Sequence, residues 1–394
     1  MAGVLDGVRV LDFGRYIAGP WCAALLGDMG AEVIRIEKTA GSEDRYLMPL
    51  TPGGEGGQFL QMGRNKRGMT LDPMTDEGRV IVRELVATAD VVVANLPPQG
   101  LAAMGLDYES LRAVKPDIIL TTVTAYGTGG PASDRVGFDG IAQAQSGAMH
   151  LSGPADQPMK SVAPFADFGT ATLSAFGTMA ALMHRARTGE GQHVEASLLG
   201  TALSFMNGNL IEQAVNAPDR VGTENRSQHA GPGDTFATRD GWVLVQCVGD
   251  PLFRRWCRLM GEEALIDDAR FADDQARGDN GEALSRRMAA WCGQRTTAEV
   301  LEALDAARIP AGRVLSPQQV LEDEHVRAMR FFRSIEWPGI DTPIPVSDTP
   351  VRFSSLESGV RTRAPRLGEH TGEILTSLGY DRQRIAALRE QGIV

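Results

Sequence analysis

A chain of 394 residues with 43% apolar content carries enough core-forming material for one large or two ordinary domains, so disorder is excluded as its default state. A net charge of −11 repels phosphate backbones, which excludes nucleic acid as a partner and obliges any phosphate-bearing ligand to meet a local group of Lys and Arg. The four cysteines, Cys22, Cys247, Cys257 and Cys292, stand far apart with no C-x-x-C pair. Neither a metal site nor a disulfide framework is expected from them. No segment approaches the roughly eighteen uninterrupted apolar residues of a membrane span, and the first ten residues hold no long apolar run. The expectation is a soluble, cytoplasmic protein with no membrane partner.

From the amino end, Val8 to Asp12 reads as a short strand, followed by a helix opening near Gly19 and Pro20 and a second strand over 32–36. An amphipathic stretch from Thr75 to Ala87 precedes the apolar run Val91 to Ala94, and a helix over 108–114 precedes a strand near Ile118 to Val123. Strands spaced by helices imply parallel βαβ units, hence an α/β fold with a Rossmann-like parallel sheet and ligand loops at the carboxyl ends of its strands. The sequence after the first strand is Phe13-Gly14-Arg15-Tyr16-Ile17-Ala18-Gly19. It lacks G-x-G-x-x-G, so a dinucleotide is not the expected ligand. Asp167 precedes an Ala-rich helical stretch that stops at Gly189, and the expectation is that Asp167 caps that helix. Beyond it lies a strand at Val194 to Ser197 and then a polar linker from Asn216 to Gly233. Further on come a strand near Trp242 and helices around 251–260 and 297–307. The expected division is a large domain over 1–215, a linker and small α+β domain over 216–330, and a segment over 331–394 returning to the large domain.

Several short stretches, in this order and spacing, resemble the class III CoA-transferases, the group that includes formyl-CoA and carnitine CoA-transferases and the related α-methylacyl-CoA racemases. They are Leu5 to Asp12, Ala18-Gly19-Pro20, Gly30 to Glu37, Asn65-Lys66-Arg67, Ala89 to Asn95, Ala166-Asp167, Thr188 to Gln192 and Arg366 to Thr371. The resemblance spans nearly the whole chain. It implies an interlocked homodimer, an acyl-CoA donor and a carboxylic acid acceptor, with coenzyme A as substrate and no tightly bound cofactor or metal.

The resemblance makes Asp167 the nucleophile that forms a mixed anhydride with the acyl group and then an aspartyl-CoA thioester. A carboxylate with a reference pKa of about 3.9 is ionised at neutral pH without a separate base, and a helix N-terminus favours its charge. The plainer role, capping the helix, is worth roughly 1 kcal/mol. A carboxylate bonded to its own helix amides makes the poorer nucleophile. Gly127 to Gly130 and Gly231 to Gly233 are candidate loops for oxyanion-stabilising amides, although turn formation explains either one. For CoA, the cations near the ends of the first strands are Arg35, Lys38, Lys66 and Arg67. By resemblance Ala18 supplies a backbone contact and Asn95 a polar wall, while Ala102-Ala103 stand where some relatives place a basic residue.

The racemase branch uses a histidine in a Gly-His-Asp segment, and here that position holds Phe138, which cannot transfer a proton. A non-catalytic CoA-binding protein, the other alternative, is expected to have lost the nucleophile. The glutamine of the formyl-CoA branch is replaced by Ile17. Arg15, Tyr16, Arg45, Arg226 and His229 are candidates for a pocket that holds a second carboxylate, which suggests dicarboxylic substrates such as succinyl-CoA. His150 and His184 read as structural, and His370 as a cap for the last helices.

Overall fold

The computed structural model describes residues 3–394, and its chain divides into two compact units. The first takes Met1–Ser146, Ser161–Asn209 and His325–Val394; the second takes Gly147–Lys160 and Leu210–Glu324. The breaks therefore fall at 209/210 and 324/325 rather than at 216 and 330. The second unit also takes 147–160, which the sequence reading leaves in the large domain.

Within the first unit, six strands form one parallel sheet. They are β1 (Arg9–Asp12), β2 (Glu32–Glu37), β3 (Lys66–Thr70), β4 (Val91–Ala94), β5 (Ile119–Thr124) and β6 (His193–Ser197), in the order β3-β2-β1-β4-β5-β6. Up to β6 and beyond, the helices are α1 (Ala18–Asp28), α2 (Gly57–Met62), α3 (Asp76–Ala87), α4 (Pro98–Met104), α5 (Tyr108–Val114), α6 (Asp139–Gln145), α7 (Ala148–Leu151), α8 (Phe165–Thr188) and α9 (Leu198–Asn216). Alternate strand residues feed two separate cores, as the two-residue period of a strand dictates. Leu11, Ile34, Val92 and Leu120 meet Ile81 and Leu85 of α3 and Leu388 near the carboxyl end. Val10, Val33, Val93 and Ile119 meet Cys22 and Leu26 of α1 and Ala171 and Ala175 of α8. Each such fully buried Leu or Val contributes about 1.5–3 kcal/mol, which secures the register of β1 and β4.

Lys66 and Arg67, expected near the strand ends and available to CoA, open β3 itself. The reason is electrostatic: Lys66 is buried against Asp12, with Nζ 2.7 Å from Oδ2, so a charge that looks solvated in the sequence is part of the sheet interior. The carboxyl segment docks on the same strand. Gly68 N donates to His370 Nδ1 at 3.1 Å and Thr70 N to Thr371 Oγ1 at 3.0 Å. His370 occupies the N-cap position of the helix Thr371–Ser377, but its ring bonds the sheet instead of that helix.

In the second unit an antiparallel sheet of Gly233–Ala237, Trp242–Gln246 and Ala311–Arg313 packs its buried Phe236, Val243 and Val245 with Phe253, Trp256 and Met288. The helix Thr297–Ala306 begins with a reciprocal cap between Thr296 and Glu299. All four cysteines are buried and unpaired, and burial pushes the thiols of Cys22 and Cys247 up to about 12. Among the described residues, no helix is long and apolar enough to cross a membrane.

Candidate functional site

The strand order reverses direction between β1 and β4, and the crevice outside their carboxyl ends is where an open parallel sheet receives a ligand. Here the β1–α1 loop is tied to the end of β4 by one side chain. Asn95 Oδ1 accepts from Arg15 N at 2.7 Å while its Nδ2 donates to Arg15 O at 2.8 Å. Gly19 makes this clamp possible, because a Cβ there meets Asn95 Oδ1 at 2.9 Å and Gly14 Cα at 2.9 Å. Beneath the loop, Asp12 Oδ1 accepts from Gly14 N at 2.8 Å, and Lys66 Nζ donates to Pro20 O at 2.7 Å as well as to Asp12.

Above these loop ends lies a cavity of about 380 Å³. Asp167, Ala18, Asn95, Arg15, Tyr16, Ile17 and Phe138, all singled out from the sequence, line it together. Tyr16, held at φ +61°, meets the half-exposed ring of Phe138 edge-on, with centroids 5.5 Å apart. Ala18 begins the 11-residue helix α1, so the donor end of that helix lies at the cavity wall.

Asp167 is not the cap of its helix. α8 begins at Phe165 with Pro164 in the cap position, and Asp167 is its third residue. The capping acceptor arrives from α6 instead: Asp139 Oδ1 takes Ala166 N at 2.8 Å and Asp167 N at 3.2 Å, while its Oδ2 takes Gln143 Nε2 at 2.5 Å. Among the described residues, no donor is bonded to the Asp167 carboxylate. Burial, and secondarily the nearby Asp139 charge, raise its pKa to about 7. This revises the expectation of full ionisation at neutral pH: the helix end expected to favour the charge is already occupied by another carboxylate. A half-buried carboxyl group with a strongly shifted pKa at the wall of a crevice is a candidate functional acid.

Other expected site residues lie elsewhere. Arg35 is fully buried, with Nη2 2.7 Å from Asp44 Oδ2 and further contacts to Asp12 and Glu37. Arg45 is fully buried with Glu37 and donates to Pro365 O at 3.1 Å. Arg35 and Lys66, expected at the CoA phosphates, and Arg45, expected at a second carboxylate, are instead framework charges: a guanidinium or ammonium surrounded by internal carboxylates cannot turn to a ligand anion without leaving them unpaired. Arg67, at the amino end of β3, pairs with Glu32 at 2.8 Å and Glu373 at 3.3 Å, so it stands at the opposite end of the strands from Asp167. Lys38 follows β2, is exposed and pairs with Glu43. It does not line the cavity. Arg226 and His229 belong to the second unit, where Arg226 Nη1 donates to Gly278 O at 3.4 Å. In the Gly127 to Gly130 loop, two amides are already used, Gly127 N by Thr124 Oγ1 and Gly130 N by Ser133 Oγ. Asp139 was not selected from sequence as a functional residue. Its partners lie 27 and 28 residues away, and no local pattern announces them.

Residues 5–371 match the model of CoA-transferase family III. The chain is 33% identical over 388 residues to the succinate–glutarate CoA-transferase of Agrobacterium fabrum, covering 95% of each chain. It is also 33% identical to the succinyl-CoA:mesaconate CoA-transferase of Haloarcula hispanica, over 96% of this chain and 97% of that one. A CaiB/BaiF family protein from Brucella suis superimposes with a TM-score of 0.84 at 33% identity, covering 96% of this chain and all of that one.

The raised pKa of Asp167 has a sign that stability measurements can read. The folded carboxyl holds its proton up to about pH 7, whereas the unfolded one releases it near 3.9. Asp167 therefore lowers stability progressively as pH rises from about 4 to about 7. The Tm of Asp167→Asn is expected to match wild type near pH 4 and to exceed it by a growing margin up to pH 7–8. Introducing Asp139→Asn should shift that window downward, since it removes the lesser cause and leaves desolvation. A margin that is flat with pH contradicts the raised pKa.

Proposed function

The chain belongs to CoA-transferase family III, and from that premise we propose that Asp167 is the covalent nucleophile and that the acids exchanged are dicarboxylic, with succinyl-CoA as a donor. CoA thioesters are the enzyme's substrates, not resident cofactors. An Asp167 oxygen attacks the thioester carbonyl, the C–S bond breaks, and the thiolate leaves with its electron pair. The thiolate then attacks the aspartyl carbonyl of the mixed anhydride and expels the donor acid. The acceptor carboxylate displaces CoA from the aspartyl thioester, and a final thiolate attack on the acceptor's acyl carbon restores Asp167 and yields the new thioester.

The observation that carries this reading is the unbonded carboxylate of Asp167 in the switch-point cavity, its helix amides taken by Asp139. A carboxylate of raised pKa is the more basic, hence the stronger, nucleophile once ionised. Ala18 and Asn95 are proposed to line the thioester arm of CoA, and exposed Lys38 to meet its phosphates. Dicarboxylic specificity is proposed from the names of the relatives, with the arginine-bearing, polar cavity wall as its physical support.

We also propose that the working form is a homodimer of interlocked chains. Leu173, Phe176 and Met183 of α8 are 45%, 73% and 58% exposed, and their helical spacing puts them on one face. An apolar face of this kind is costly to leave in water.

Incubation with succinyl-CoA followed by hydroxylamine should label Asp167, as located by mass spectrometry, and Asp167→Ala should lose at least about 10³-fold in transfer while keeping the wild-type circular dichroism. Full activity in that variant removes the mechanism. In a screen of acceptors, glutarate and other diacids should exceed matched monoacids in kcat/KM by at least tenfold; parity between the two sets removes the dicarboxylate proposal alone. Phe176→Glu should move the protein from dimer toward monomer in sedimentation, and an unaltered dimer excludes this face as the contact.

A further inference from the structure

We propose that Arg135 reads the distal carboxylate of the diacid substrate, an assignment that rests on the dicarboxylate reading above. Two arginines line the Asp167 cavity, Arg15 and Arg135. They differ in what is left for a ligand. Arg15 Nη1 already donates to three carbonyl oxygens, of Phe13 at 3.1 Å, Gly14 at 2.8 Å and Ile36 at 3.3 Å. Its role is to brace the β1–α1 loop against the end of β2. Arg135 is exposed, and among the described residues its guanidinium has neither a carboxylate nor a carbonyl partner. Asp134, its neighbour on the same cavity wall, forms no ion pair with it.

An unpaired guanidinium is notable in a chain with a net charge of −11, where Arg35 and Arg45 are taken by internal carboxylates and Arg15 is held through Nη1 by backbone carbonyls. The loop that carries it is fixed at both ends. Ser133 Oγ closes a turn on Gly130, accepting from its N–H and donating to its C=O, both at 2.8 Å. Gly137 is pressed against the end of β5, where a Cβ would stand 2.8 Å from Ala125 Cβ. Two residues further on is Asp139, which caps α8 beside Asp167. Arg135 is thus tied through four residues of chain to the group that fixes the nucleophile, within at most about 14 Å of backbone. Because Arg135 and Asp167 line the same cavity, a diacid whose near carboxyl reacts at Asp167 can offer its far carboxylate to the fork of Arg135 in a paired contact.

The same fork also suits a CoA phosphate, so the test must separate two sources of anionic oxygen. Steady-state kinetics of wild type, Arg135→Met and Arg135→Lys are compared with two sets of substrates, succinyl-CoA with glutarate and butyryl-CoA with butyrate, alongside the Kd of free CoA from calorimetry. The expected result for Arg135→Met is a fall of about 10- to 100-fold in kcat/KM for the diacid set, carried mainly by KM. The monoacid set should lose less than about threefold, the Kd of CoA should stay within about twofold, and Arg135→Lys should recover part of the loss. Equal losses in both sets, with weaker CoA binding, assign Arg135 to the phosphates and overturn the proposal. Retained diacid preference in Arg135→Met overturns it too, leaving the dicarboxylate reading intact. Absence of that preference in the wild-type enzyme removes both.

Discussion

Two carboxylates compete for the first amides of α8, and Asp139 takes them. Ala166 N and Asp167 N both donate to its Oδ1, so the helix end is satisfied from α6. The outcome sets the character of the site. Had Asp167 bonded its own amides, its charge would be stabilised and its lone pairs directed into the helix. With the amides taken, Asp167 keeps an unbonded carboxylate in a half-dry position next to a like charge. Both conditions raise its pKa, to about 7, and both make the ionised form more eager to share an electron pair.

The opposite wall of the cavity depends on charges that never meet it. Asp12, fully buried, holds Gly14 N on one oxygen and Lys66 on the other, and Lys66 in turn holds Pro20 O. Arg35 joins Asp12, Glu37 and Asp44 in the same interior network. Despite burial, the Asp12 carboxyl sits below its ordinary pKa because Lys66 and Arg35 outweigh the desolvation that opposes them. Such a cluster adds little net stability compared with an apolar core, but removing one member strands the others at a cost of about 3–5 kcal/mol. Its return is geometric: the turn from Phe13 to Pro20 is held in one shape, with Ala18 and Ile17 at the cavity.

This division of labour explains what the sequence made legible. β4, with four buried residues in Val91–Ala94, and α8, ended by Gly189 at φ +76°, announce themselves by apolar runs and a glycine stop. The site's loop ends follow from the alternation of strands and helices, and the resemblance supplied Asp167, Ala18 and Asn95. Charged residues were harder, because a cation in a sequence looks the same whether it faces water, a phosphate or three internal acids. Arg35 and Lys66 look like ligands for phosphate, and Arg45 like one for a substrate carboxylate, until their partners, up to 320 residues away in the case of Arg45 and Pro365, are known. Asp139 is the converse case, an unremarkable acid at a helix start whose importance lies wholly in a tertiary contact.

The like-charge pair also bears on the energetics of the covalent intermediate proposed at Asp167. Esterification or anhydride formation there replaces a carboxylate by a neutral acyl group, so the repulsion from Asp139 and the desolvation cost of the free charge both vanish when the bond forms. On the proposed mechanism, the two causes that raise the pKa disfavour the ionised carboxylate relative to the acylated one. The same negative field opposes an incoming diacid, whose far carboxylate is not consumed in the reaction. If the substrate is the proposed diacid, a site of two acids needs a fixed counter-charge beyond the reacting carbon, and of the two arginines on this cavity wall Arg135 is the one whose guanidinium has no protein partner among the described residues.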